Sequence, residues 1–286
     1  MRVVVAGAGG MVGREVTELF ESRGHHEVSA FMSADLDITD RDAVLQRVAI
    51  AAPDVVINCA AFTAVDACET EVDRAFQVNG LGVRNLAEAC AAEGAHLVHI
   101  GTDYVFDGTK PTPYHEWDAP HPMCVYATSK LAGEHEAVAL LGPACTIARI
   151  SWVCGRYGSN MVKTVLRVAA ASDGPLRFVD DQRGCPTFAN DLATMLYRFA
   201  VERRPGLFHV TNQRAVSWFE FVQEILQESG DDPKRVEPIS TADLQPPRPA
   251  PRPANSVLDN LALRLSGIEL LPDHGEALAR CIKQLA

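Results

Sequence analysis

Short apolar runs alternate with longer stretches of helical spacing through the first 150 residues. "RVVVA" (2–6) is a β-branched run of strand length, and "MVGREVTELFESRG" (11–24) spaces its apolar residues at helical intervals before a closing glycine. "EVSAF" (27–31) reads as a second strand, and "TDRDAVLQRVAIAA" (39–52) as a helix with Thr39 as its N-cap. "PDVVINCAA" (53–61) and "AHLVHIG" (95–101) are apolar enough to be buried strands, with a long helical region between them that ends near Gly94. A further helix follows Tyr126 and leads to the strand "CTIARI" (145–150). Strands alternating with helices of this length predict parallel βαβ units, hence an α/β fold with a doubly wound parallel sheet.

Beyond residue 152 the rhythm loosens. "LRFV" (176–179) and "GLFHVTN" (206–212) read as strands, and "SWFEFVQEILQESG" (217–230) as a helix capped by Ser217. "LQPPRPAPRPAN" (244–255) carries five prolines and two arginines. Its composition favours a polyproline linker over an ordered loop that presents arginine to a ligand.

Hydrophobic content of 47% and charged content of 22% belong to an ordinary globular chain. The formal net charge of −11 argues against a nucleic-acid or anionic-membrane partner, since both need clustered Lys and Arg. An anionic small molecule remains compatible, because a few arginines and a helix N-terminus can hold phosphate. No run reaches the 18 or so apolar residues of a membrane span. The opening "MRVVVAGAGG" is shorter than a signal peptide. The eight cysteines form no CxxC and sit in apolar surroundings, so they read as reduced core residues, and a cytoplasmic location is expected. His96 and His99 fall on opposite faces of one strand, and no metal site is expected from them.

Four glycines, at 7, 9, 10 and 13, lie between the first strand and the first helix. Gly7, Gly10 and Gly13 fit the spacing G-x-x-G-x-x-G. Such glycines permit positive φ and let backbone amides approach a pyrophosphate at the helix N-terminus, which points to dinucleotide binding. The second strand ends in Phe31, Met32 and Ser33, which offer neither the acidic residue of an NAD site nor the basic residue of an NADP site. Asp37, in "DLDITD", is either an acceptor for the adenine amino group or part of a solvated acidic turn.

"YATSKLAGE" (126–134) sets Tyr126 and Lys130 at i, i+4, on one face of a helix. Free tyrosine titrates near pH 10 and is a poor acid–base group at neutrality. A neighbouring ammonium lowers that pKa, and a tuned phenol can protonate a carbonyl oxygen as hydride reaches the carbon. The same lysine can donate to a nicotinamide ribose. Thr102 directly follows the strand "HLVHI", at the sheet end where ligands of this architecture bind, and can donate to the same oxygen. Glycine cradle, strand-end threonine and Tyr-x-x-x-Lys together describe nicotinamide-dependent carbonyl chemistry.

With these motifs the sequence resembles the extended short-chain dehydrogenase/reductase superfamily and, within it, the dTDP-4-dehydrorhamnose reductase family. The resemblance runs through "PDVVINCAAFTAVDACE" (53–69), "GTDYVFDGTKPTPYHE" (101–116), "YATSKLAGE", "RISWVCG" (149–155), "DDQRGCPTFANDLA" (180–193) and "RPANSVLD" (252–259). It implies a Rossmann dinucleotide-binding domain over 1–152, completed by segments within 184–216. A smaller C-terminal substrate-binding lobe would draw mainly on 153–183 and 217–286. It implies Thr102, Tyr126 and Lys130 as the catalytic set, with Tyr126 and Lys130 also on the cofactor. Gly7, Gly10, Met11, Val12 and Gly13 would surround the pyrophosphate, Asp37 and Ile38 the adenine, and Ala61, Phe62, Thr63 and Ile100 the rest of the cofactor path. Thr102, Asp103 and Trp152 would contact a sugar nucleotide, and Arg252 would reach the same substrate, which reverses the linker reading of the proline-rich stretch.

The implied cofactor is NADPH, with NADH as the alternative, and the implied reaction is hydride transfer to the C4 ketone of dTDP-4-dehydro-L-rhamnose. Departures from the family are Gly101, where a hydroxyl residue is frequent, Ala127 for a frequent glycine and Cys154 for a frequent tyrosine. Asn190 stands where some members carry a glutamate that helps to bind magnesium at a dimer interface, so neither that metal nor dimerisation through it is carried over. A monomer or weak homodimer is expected. Two other readings remain: a reductase, epimerase or dehydratase of another nucleotide-linked keto sugar, and an NADP-binding regulatory subunit resembling that of methionine adenosyltransferase.

Overall fold

The computed structural model describes residues 1–285. Six strands form one parallel sheet: β1 (Arg2–Ala6), β2 (Glu27–Phe31), β3 (Val55–Asn58), β4 (His96–Thr102), β5 (Cys145–Ile150) and, after a short strand β6 (Leu176–Val179) elsewhere, β7 (Gly206–His209). Their order is β7-β5-β4-β3-β1-β2. The chain moves outward in both directions from β1 and β3, so a crevice opens between their C-terminal ends. β7 joins this sheet from the second half of the sequence.

Alternation along β1 explains the layers. Val3 and Val5 face one side, where α1 (Met11–Ser22) and α8 (Ala189–Glu202) supply Val16, Phe20, Leu192, Leu196 and Phe199. Val4 and Ala6 face the other, against α2 (Arg41–Ala51), α5 (Gly82–Glu93) and α6 (Val125–Leu141). A period of two therefore buries both faces, as a central parallel strand requires. A separate core forms from α7 (Met161–Ala171), α9 (Trp218–Ser229) and α11 (His274–Leu285), with β6 paired in parallel to β8 (Val236–Ile239). Ser217 caps α9 through a reciprocal box with Glu220.

Several sequence expectations need correction. α2 begins at Arg41, and its N-cap is Asp40, whose carboxylate accepts the Ala43 N–H at 3.0 Å; Thr39 instead donates to Asp37. The strand expected over 53–61 contracts to β3, and the one over 206–212 to β7. The long helix expected before Gly94 is broken into α3 (Val65–Cys68), α4 (Val72–Phe76), a π-helical turn at Gln77–Leu81, and α5. The gap falls at 69–71, and the helix then runs on from 72 to 93 through the π-turn, where the buried Asn79 amide bonds the Phe62 backbone and Ser129. The proline-rich stretch is not a free linker, because Ala250 and Pro253 within it are buried against the sheet domain.

Candidate active site

The glycine turn lies at the mouth of the crevice. Gly7 takes φ +77°, and a Cβ there would fall 2.5 Å from the Ala60 nitrogen. A Cβ on Gly13 would fall 2.2 Å from the Gly7 carbonyl oxygen. Both positions therefore exclude a side chain, and the start of α1 is pressed against the end of β1. Gly10 is the N-cap and brings no side-chain cap, so the first-turn amides around Met11 and Val12 are left to a ligand or to water. That bare, closely approachable helix end fits a dinucleotide pyrophosphate.

The other predicted cofactor residues follow β2 and β3 or, as Ile100, lie near the end of β4. Asp37 is exposed, with one carboxylate oxygen taking both the N–H and the hydroxyl of Thr39. Ile38 is only 4% exposed and packs against Gly82, so it forms the floor beneath Asp37 rather than presenting a side chain. Ala61, Phe62 and Thr63 follow β3, and Asn79 grips both backbone polar groups of Phe62, at 2.8 and 3.1 Å. Asn79 also bonds the Ser129 hydroxyl at 3.0 Å, tying this loop to the helix that carries Tyr126 and Lys130. Sequence reading missed Asn79. Its only signal was an Asn-Gly pair inside an apparently continuous helix.

Tyr126 and Lys130 project from the first turns of α6. The N-cap, Cys124, supplies no side-chain bond; Glu69 does this from outside, accepting the Val125 N–H at 2.9 Å. Glu69 too was missed, since the cap comes from a distant segment. The Lys130 ammonium donates to the Ile100 carbonyl at 2.6 Å. Burial lowers its pKa to about 8, with Glu134 and Cys59 opposing. Burial also pushes the Tyr126 phenol well above its usual value, with a hydrogen bond to Thr102 offsetting part of the rise. The expected lowering of the tyrosine by its neighbouring ammonium is not what this geometry gives, because burial of the phenol outweighs it.

Thr102 ends β4 and is buried beside Asp103, to which its hydroxyl donates at 3.1 Å. Asp103 also accepts the Ser151 hydroxyl at 2.8 Å; burial raises its pKa to about 6, and hydrogen bonds from Ser256, Ser151 and Thr102 hold it lower than burial alone would. Trp152 has φ +44°, unusual for a bulky residue, and its ring is stacked on Trp218 at 3.5 Å with 5° between planes. Gly184 makes the space, for a Cβ there would lie 2.4 Å from the Trp152 ring. Arg252 lies 5.9 Å from the Tyr104 ring centre, and that ring meets Tyr126 edge to face at 5.9 Å. Asp103 thus adjoins Thr102, and Arg252 reaches Tyr126 through the Tyr104 ring, whereas Trp152 is packed on Trp218 and Gly184.

Among the described residues no cluster of three or more His, Cys, Asp or Glu could hold a metal ion. Asn190 bonds Asp191, and Asp191 is in turn taken by Arg280 and Asn212. The eight cysteines are unpaired and seven are buried. No helix among these residues is long and apolar enough to cross a membrane.

Comparison with known proteins shows the family. The sequence profile of the RmlD substrate binding domain matches residues 1–286. A dTDP-4-dehydrorhamnose reductase of Mycolicibacterium smegmatis is 44% identical over 282 residues, covering 97% of this chain and 84% of the relative. The crystal structure of a dTDP-4-dehydrorhamnose reductase from Clostridium acetobutylicum superposes with a TM-score of 0.95 at 40% identity, over 100% of this chain and 99% of that one. That of the Bacillus anthracis dTDP-4-dehydrorhamnose reductase in complex with NADP gives a TM-score of 0.94 at 36% identity, covering 99% of each.

Proposed function

Since the chain belongs to the RmlD substrate binding domain family, we propose that it is a reductase acting on dTDP-4-dehydro-L-rhamnose to give dTDP-L-rhamnose. The observation that carries this reading is the convergence of Thr102, Tyr126 and Lys130 at the end of β4 in a chain that matches the family from end to end.

NADPH, when bound, supplies hydride to the C4 carbonyl carbon; NADH is the alternative. Gly7, Gly10, Met11, Val12 and Gly13 would hold its pyrophosphate, Asp37 and Ile38 its adenine end, and Ala61, Phe62, Thr63 and Ile100 its path toward the catalytic helix. Tyr126, kept protonated by its burial, would donate its proton to the ketone oxygen. The phenolate left behind is costly in a buried site. Lys130, charged below about pH 8, would offset that charge electrostatically. Thr102 has one hydroxyl proton, which would turn from Asp103 to the ketone oxygen and orient it. Asp103, Trp152 and Arg252 would place the sugar nucleotide in the smaller lobe.

Asn190 and the pairing of Asp191 support turnover without magnesium. The buried, unpaired cysteines suit the reducing cytoplasm. A monomer or weak homodimer would suffice, since every group named lies on one chain.

The test is consumption of added NADPH by purified protein with enzymatically generated dTDP-4-dehydro-L-rhamnose, with the product identified. Equimolar oxidation of NADPH with formation of dTDP-L-rhamnose is expected. Turnover without added nicotinamide would mean an epimerase or dehydratase. NADP binding without turnover, together with co-elution of a partner protein, would mean a regulatory subunit.

A further inference from the structure

The stretch 244–255 contains no helix or strand beyond the end of a short turn, yet it is ordered. Its end is held by Asn255 on the Lys110 and Thr112 carbonyls, and its middle by one carboxylate. Asp66, in α3 of the sheet domain, accepts the Ala250 N–H at 3.2 Å on one oxygen. On the other it receives Arg252 at 3.1 Å and Arg248 at 3.3 Å. Arg252 closes the arrangement by donating to the Ala250 carbonyl at 2.9 Å. Three groups of one strap thus converge on Asp66, and Ala250, between the two arginines, is fully buried.

We propose that Asp66 is a positioning residue for the substrate: it fixes the strap so that Arg252, assisted by Arg248, faces the anionic diphosphate of the nucleotide-linked sugar. This rests on the reading of the site as one for a sugar nucleotide. The geometry gives the reason. Arg252 lies over Tyr104, and Tyr104 abuts the proposed proton donor Tyr126. A pyranose whose ketone oxygen meets Tyr126 carries its anomeric phosphate on the far side of the ring, which is the kind of separation that the Tyr104 ring spans. Arginine has five N–H donors in a rigid fork, and only part of that fork is used by Asp66 and Ala250. The side chain of Arg252 is 13% exposed, so its direction is set, whereas Arg248 at 59% can swing onto a phosphate. Two guanidinium groups on one carboxylate leave a local excess of positive charge in a chain whose net charge is −11. The device was not visible in the proline-rich sequence, because the anchor lies in another part of the chain.

The experiment is steady-state kinetics of Asp66→Asn, Arg252→Met and the double variant, with KM for sugar nucleotide and for NADPH measured separately. Asp66→Asn should raise the sugar-nucleotide KM about tenfold, a loss of placement rather than of chemistry, with kcat and the NADPH KM nearly retained. In the Arg252→Met background the same change should add clearly less than it does alone, since Asp66 acts mainly through that arginine and only the part through Arg248 is left. An unchanged or lowered sugar-nucleotide KM in Asp66→Asn would overturn the inference, as would full additivity in the double variant. If Arg252→Met itself leaves KM unchanged, the placement of Arg252 on the substrate fails instead. A parallel rise of both KM values would mark a general structural role and also overturn it.

Discussion

Burial shifts Tyr126 and Lys130 in opposite directions: the phenol stays protonated at neutral pH but becomes a weaker acid, so the proton donation proposed for it leans on the Lys130 charge. A phenol that resists ionisation is a full proton reservoir at neutral pH, and a lysine with a pKa near 8 is still charged there. The charge on Lys130 is lost as the pH rises through about 8, so kcat/KM should fall on the alkaline side of that value. Lys130→Met should be slower throughout and should lack this limb; a pH–rate profile comparing the two enzymes checks it. An alkaline limb that persists unchanged in Lys130→Met would assign it to another group. Asp103, raised to about 6, is ionised at neutrality and accepts from the Thr102 hydroxyl.

Two elements carry the site, the glycine turn into α1 and the helix α6, and each is held by a contact that tolerates no extra atoms. Gly13→Ala forces a methyl to 2.2 Å from the Gly7 oxygen and should cost about 1–3 kcal/mol of stability while weakening NADPH binding, measurable by thermal melts with and without cofactor. On α6, Glu134 forms a buried two-bond pair with Arg149 of β5. Glu134→Ala strands that guanidinium and should cost about 3–5 kcal/mol, read from denaturant midpoints. A carboxylate oxygen of Glu134 lies 2.4 Å from where a Cβ would stand on Gly101, which gives a physical reason for glycine at that position. The strands were legible in the sequence because β-branched runs bounded by glycine and proline report local preference. The glycine turn was legible as a structure for the same reason, since strand, glycines and helix are contiguous. What escaped was set by distant partners: the π-turn by Asn79 reaching Phe62 and Ser129, the cap of α6 by Glu69, and the ordering of the proline-rich strap by Asp66. Asp40 took the cap of α2 from Thr39 because Thr39 was already spent on Asp37, a competition between adjacent residues that propensity alone does not rank.

At the scale of the molecule, the parallel sheet buries histidines as neutral packing groups. His96 and His209 have pKa values lowered by burial from 6.5 to about 4 and about 3. Their neutral burial stabilises the fold fully above pH 6.5, and that contribution is lost as pH falls toward 4 and 3, by up to about 1.4 kcal/mol per pH unit for each. Asp103 works against this, since its raised pKa makes folding easier as pH falls from about 6 toward 3.8. His99, also lowered by burial, adds to the histidine side and Glu116, raised by burial, to that of Asp103, and the histidines leave a net loss of stability on acidification. Imidazole NMR signals of His96 and His209 should therefore stay in the neutral form down to about pH 5. The chemistry proposed at the end of β4 turns on one proton donor. The most direct measurement is the rate of NADPH oxidation, followed by absorbance, with dTDP-4-dehydro-L-rhamnose and either the unaltered protein or a folded Tyr126→Phe variant. Turnover to dTDP-L-rhamnose that drops about 100- to 10,000-fold in the variant, with NADPH binding retained, is the expected result. Equal rates in the two proteins would remove Tyr126 as the donor and with it the mechanism described.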